Sequence, residues 1–197
     1  WKVYNRLSKK YEVRDTKELC GDYKKIRKDW EGVRKNPYEF KYSIPCNKAV
    51  KYEEKNLPID PYILGLWLGD GSNTYSKITS IDEEIVDYLH TYSESIGLQI
   101  TPDSFYTHMI TSGKQGGDKN LVNKKNIVHQ YLKKLYNNKH IPKEYFYSSV
   151  DQRMELLRGL MDSDGSCDKR GKIEFSSSIP ILADDFYNLC RSLGINL

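Results

Sequence analysis

The chain has 197 residues, 38% hydrophobic and 29% charged, with 16 tyrosines and a formal net charge of +4. That length holds one ordinary domain with or without a small appendage, and the aromatic content excludes a disordered chain. No apolar run approaches the roughly 18 residues of a membrane span and no signal-peptide pattern opens the sequence, so the expected setting is intracellular, with the compartment unknown.

Residues 1–57 are basic and rich in Tyr and Lys, and positions 1–35 carry twelve Lys or Arg against six acids. Strands are expected at 2–7 and 11–14, a helix at 16–28 capped by Thr16, a strand at 38–44 and an extended connector at 50–57. Clustered basic charge is the footprint of nucleic-acid binding, and a solvated lysine face is the other reading. Trp1 at the first position points to a start inside a larger protein.

From Pro58 the pattern sharpens. Asp60-Pro61 is a helix start, and Ile63, Leu64, Leu66, Trp67 and Leu68 carry an apolar helix to Asp70 and a stop at Gly71. A strand at 77–80, a helix at 82–96 closed by Gly97, a hairpin at 98–101 and 105–111, a polar loop at 113–120 and an amphipathic helix at 126–136 follow. The plan then starts again, with a helix at 149–162 stopping at Gly165, a strand at 172–175 and a helix at 179–193.

ILGLWLGDGS (63–72) and LLRGLMDSDGS (156–166) match as an apolar helix carrying a glycine followed by Asp-Gly-Ser. The helices after them end in SIGL (95–98) and SLGI (192–195). Such self-similarity marks an internal repeat. Residues 58–148 are read as a first repeat and 149–197 as the start of a second, truncated one. Gly65 and Gly69 in one helix, and Gly159 and Ser163 in the other, fall four apart and make strips of small residues where two backbones could meet.

Parallel packing of these helices would set Asp70 beside Asp164 at two negative dipole ends, an arrangement that divalent cations relieve. Oxygen ligands with open positions suit Mg²⁺, and metal pairs stabilise both the attacking and leaving oxygens of phosphodiester cleavage. The competing reading of each Asp-Gly is a plain helix stop. An EF-hand reading of Asp162, Asp164, Ser166 and Asp168 fails, because Cys167 and Ile173 stand where glycine and glutamate are required. Cys20, Cys46, Cys167 and Cys190 lack zinc-ligand spacing and are expected as free thiols. His90, His108, His129 and His140 are scattered.

The two motifs resemble those of LAGLIDADG homing endonucleases. The resemblance runs from about Leu57 to the end; the first motif departs from the family in having Leu68 where a first acid is common. It implies an α/β fold of duplicated αββαββα repeats, with antiparallel sheets that straddle double-stranded DNA and a central pair of motif helices. It also implies a monomer with pseudo-twofold symmetry, and a metal site at Asp70 and Asp164 that includes Gly69 and Ser163. Lys139-His140-Ile141-Pro142 resembles the Lys-x-Ile-Pro element of intein endonucleases, which implies an active-site role for Lys139, against the reading of a surface lysine. YEVRDTKEL near the start resembles the end of an intein splicing region. No Cys or Ser at position 1, no Thr-x-x-His block and no terminal His-Asn are present, so this chain alone is not expected to splice.

The expected activity is site-specific double-strand cleavage of DNA with Mg²⁺, from a chain embedded in a larger host protein. Lys77, Tyr106, His108, Lys114 and Lys172 are the candidate DNA contacts. The alternative is a DNA- or RNA-binding protein or splicing cofactor on the same scaffold, without nuclease activity.

Overall fold

A computed structural model describes residues 1–26, 38–113 and 126–196. Contacts divide the chain into two compact units, Trp1–Asn47 and Lys48–Leu197.

In the smaller unit, β1 (Lys2–Asn5) pairs antiparallel with both β2 (Lys10–Val13) and β5 (Tyr42–Ser43). A second hairpin joins β3 (Lys24–Ile26) to β4 (Tyr38–Phe40). The helix expected at 16–28 is shorter: α1 spans Thr16–Asp22. Its cap is Asp15, which accepts from the Glu18 amide while the Glu18 side chain accepts from Asp15, a reciprocal box that Thr16 cannot make from one position later. The helix ends because Lys24–Ile26 is taken up by pairing with β4. The strand expected at 38–44 is two strands in different sheets, separated at Lys41, whose amide donates to the Tyr23 carbonyl and whose carbonyl accepts from Arg6.

The larger unit is organised on two helices. Helix α2 (Pro61–Asp70) buries all seven residues from Tyr62 to Leu68, as expected of a helix apolar on every face, and so occupies the centre. Tyrosines fix its entry. Tyr145 accepts from the Ile59 amide and donates to its carbonyl, Tyr92 accepts from the Asp60 amide, and Tyr88 donates to the capping carboxylate of Asp60.

After α2 come β6 (Lys77–Thr79), α3 (Glu83–Ser95), and the hairpin β7 (Gln99–Ser104) and β8 (Thr107–Thr111). The sheet order is β6-β8-β7, all antiparallel, and Gly71 adds a bridge to Ile78. Helix α4 (Ile127–Leu132), capped by Asn126, runs on into a 3-10 turn at Lys133–Leu135. The short α5 (Lys143–Phe146) then leads to α6 (Val150–Asp164).

Helix α6 hands the chain to β9 (Gly165–Cys167), a strand not foreseen from the sequence, which pairs with β10 (Ile173–Phe175). Helix α7 (Pro180–Ser192) packs behind them, with Phe186 stacked 4.0 Å from Phe175. Both α2 and α6 thus run through a glycine into antiparallel strand pairing, with a further helix after it.

Residues 48–57 are strapped to the start of α6. Val50 donates to the Ser192 carbonyl, and the Gln152 side chain both accepts from and donates to the Lys55 backbone. Arg153, wholly buried, donates to the carbonyls of Ser148, Ser192 and Val50 and stacks on Tyr52. Leaving a buried acceptor unpaired costs about 1–3 kcal/mol. Arg153→Met is therefore expected to lower stability by about 3 kcal/mol in urea melts; a loss below about 1 kcal/mol would mean that the strap does not depend on the guanidinium.

Candidate functional site

The motif helices α2 and α6 touch through backbone. A Cβ built on Gly65 would lie 2.5 Å from the Leu156 carbonyl oxygen, and one on Gly159 would lie 2.2 Å from that of Tyr62. At these separations only glycine fits. Tyr62 donates across the pair to Asp162 at 2.8 Å, and the Arg158 guanidinium lies 4.3 Å over the Tyr62 ring, which sets the axial register.

That register brings the two carboxyl ends together. A Cβ on Gly69 would sit 3.3 Å from the carboxyl carbon of Asp164, so Asp164 lies against the last turn of the helix that carries Asp70. Gly71 and Gly165 leave their helices in the same extended conformation, with φ of −82° and −89°. Both acids thereby stand at the same junction of helix and strand. Each helix stop is thus a direct turn into extended backbone.

Lys139 comes to this junction from the loop after α4. Asn137 adopts φ of 57°, a left-handed turn that asparagine tolerates, and Asp185 of α7 accepts from the Ile141 amide at 2.7 Å. Lys139 is 5% exposed as a residue, and its ammonium donates to the carbonyls of Gly69 at 3.2 Å and Gly71 at 2.7 Å, over the Trp67 ring. Asp185 and Trp67 carry no site signal in the sequence: one is an acid within a helix of the second repeat, the other an apolar residue within an apolar run.

Burial raises the pKa of both Asp70 and Asp164, the mutual repulsion raises that of Asp70 further, and Lys139 opposes the shift in each. Burial likewise pulls the lysine down, to about 8, against the pull of the two carboxylates. Among the described residues, neither carboxylate accepts a hydrogen bond or forms an ion pair. Two open carboxylates beside helix-end carbonyls form a hard oxygen donor set, which fits a divalent ion that shares its remaining positions with water and phosphate. Among the described residues no cluster of three or more His, Cys, Asp and Glu converges. The Ser163 hydroxyl lies against Gly69 and donates to the carbonyls of Gly159 and Leu160.

The candidate DNA contacts do not form one set. Lys77 lies opposite Met109, on the outward face with Thr79, Thr101, Thr107 and Thr111, whereas His108 lies opposite Ile78 on the core side and contacts the Ser80 carbonyl. Tyr106 is at the hairpin turn, 56% exposed, and Lys172 pairs with Glu174 beside β10. Lys77 itself pairs with Asp103 at 2.7 Å. Lys114 lies outside the described residues. The four cysteines are free thiols, and among the described residues no helix is long and apolar enough to cross a membrane.

The two helices thus meet through glycine, and each ends in an acid and feeds antiparallel strands. The family model of the LAGLIDADG-like domain matches residues 151–196. The chain is similar to a replicative DNA helicase DnaB of Mycobacterium intracellulare, 32% identical over 153 residues that cover 78% of this chain and 22% of that protein. It is also similar to a homothallic switching endonuclease of Saccharomyces cerevisiae, 26% identical over 158 residues that cover 68% of this chain and 27% of that protein. The chain thus spans about a quarter of the length of the curated relatives it matches.

Proposed function

We propose that this chain is the body of a site-specific DNA endonuclease that makes double-strand breaks by Mg²⁺-dependent phosphodiester hydrolysis. The observation that carries the reading is the convergence of Asp70, Asp164 and Lys139 at the ends of two helices held in backbone contact. Asp70 and Asp164 would hold divalent ions, which when bound supply an activated water and charge stabilisation at the phosphate. Lys139, held by the Gly69 and Gly71 carbonyls, presents a cation toward the same point and stabilises charge that develops on a phosphate there. Lys77 and the threonines beside it would face the duplex, with Tyr106 at the rim.

The relatives support a host setting. The stretches shared with a helicase and with a switching endonuclease together exceed the chain in length, so they overlap, and each is a minor part of its protein. One segment recurring in proteins of different name is the pattern of a mobile insert, which supports an intein origin.

A cleavage assay on a randomised plasmid library, with the whole protein and Mg²⁺, tests the activity. Recovery of one recut sequence is expected. Tight DNA or RNA binding with no cutting under any divalent ion would favour the splicing-cofactor alternative.

Trp1–Asn47 carries thirteen Lys and Arg against seven acids, whereas Lys48–Leu197 carries eighteen against twenty. Non-specific affinity is therefore expected to come largely from the smaller unit. Replacing Lys9, Lys10 and Lys24 by glutamine should flatten the dependence of log K on log salt, by up to about 0.9 for each phosphate that is no longer neutralised. An unchanged slope would assign these lysines to a solvated face.

A further inference from the structure

Among the described residues, Lys139 differs from the other lysines in where its charge is spent. The residue is buried, and its ammonium is hydrogen-bonded to two main-chain carbonyls at the end of α2 and lies 4.9 Å from the centre of the Trp67 ring. Those carbonyls carry the negative end of the helix dipole. Among the described residues no carboxylate lies within 4.0 Å of it, yet its acceptor Gly69 directly precedes Asp70, and a Cβ on Gly69 would sit 3.3 Å from the carboxyl carbon of Asp164. A full positive charge is thus held at the carboxylate pair without occupying any carboxylate oxygen.

We propose that Lys139 is a built-in counter-ion that holds the two aspartates together at the paired helix ends before a divalent ion arrives. This extends the metal-site reading above and concerns the state before metal binding. It has two consequences of opposite sign. Without metal, removing the positive charge leaves two buried carboxylates and two helix dipoles uncompensated, and the fold weakens. With metal, the same change removes a repulsion between cations, and the ion binds more tightly.

The test is thermal unfolding of the whole protein in EDTA, with Mg²⁺ affinity measured separately by calorimetry. Lys139→Gln keeps a donor for the carbonyls and removes the charge; Lys139→Arg keeps the charge. In EDTA, Lys139→Gln is expected to lower the melting temperature by about 3 °C or more. In the background of Asp70→Asn with Asp164→Asn, the same change should cost less than half as much, and Lys139→Arg should remain near wild type. Mg²⁺ should bind Lys139→Gln at least about tenfold more tightly, a lower bound for the repulsion between a unit charge and a divalent ion several ångströms apart near a protein surface.

Additive losses in EDTA would overturn the proposal, since a purely hydrogen-bonding lysine does not depend on the aspartates; so would weaker Mg²⁺ binding by Lys139→Gln. If Lys139→Gln fails to fold, folding of the triple variant supports the proposal and its failure overturns it. Non-additivity in EDTA with no Mg²⁺ binding by any form would uphold the counter-ion and defeat the metal site instead.

Discussion

Asp70→Asn and Asp164→Asn are each expected to slow double-strand cleavage by at least about 100-fold, while target binding in Ca²⁺ stays within a few-fold of wild type. Asparagine has the shape of aspartate, keeps the helix end and the turn into the strand, and removes only the charge. The side-chain surroundings give no reason for collapse, because neither carboxylate supports a neighbour by hydrogen bonding among the described residues. Burial already disfavours both charges, repulsion from Asp164 adds to this at Asp70, and a carboxylate at a helix carboxyl end opposes the dipole. The metal-free variants should therefore melt no earlier than wild type. Single-turnover cleavage with Mg²⁺, read beside circular dichroism, decides the matter. Wild-type rates in either variant would remove that aspartate from the site.

Gly159→Ala should act on the fold and not on the chemistry. Its new methyl would stand 2.2 Å from the Tyr62 carbonyl oxygen and 2.9 Å from the Leu66 amide nitrogen, both backbone atoms of a buried helix that cannot step aside. Overpacking of this kind costs about 1–3 kcal/mol, and contact with main chain places the expected loss near about 3 kcal/mol. Gly21→Ala is the matched control: it is also helical, nothing lies within 4 Å of its added methyl, and a gain of up to about 1 kcal/mol is expected from helix propensity. Urea melts of both variants make the comparison. Equal, small effects would mean that the motif helices are free to separate.

The parts of this molecule that could be read from residue order are those where local chemistry and tertiary structure agree. Asp60, Asp82, Asn126 and Ser149 each cap the helix that their position announces. The repeated glycine and Asp-Gly-Ser are visible as spacing, and the helix contact they permit is what the structure contains. Strand β9 is not legible, because Gly-Ser-Cys has little extended preference and becomes a strand only through its partner β10. Lys41 splits a Tyr-rich stretch between two sheets, which no local signal announces. Arg153 escapes a reading by residue order because an arginine in a helix reads as exposed; its partners, Val50 and Ser192, lie far away in sequence. Likewise the face of a strand residue depends on register, and a one-residue difference separates Lys77 from the side that holds His108.

The outward face of the sheet formed by β6, β8 and β7 has a consequence for change over time. Its residues, Thr79, Thr101, Thr107 and Thr111 among them, hold extended backbone by their own β-branched preference, while Ile78 and Ile110 on the other side hold the core. Substitutions on such a face, away from the core, usually alter stability by no more than about 0.5 kcal/mol. Under the endonuclease reading, the lettering that reads a target can therefore be rewritten position by position while the acids stay where the glycines put them. Such a protein could follow a drifting target, or be redirected to a new one, without passing through an unfolded ancestor.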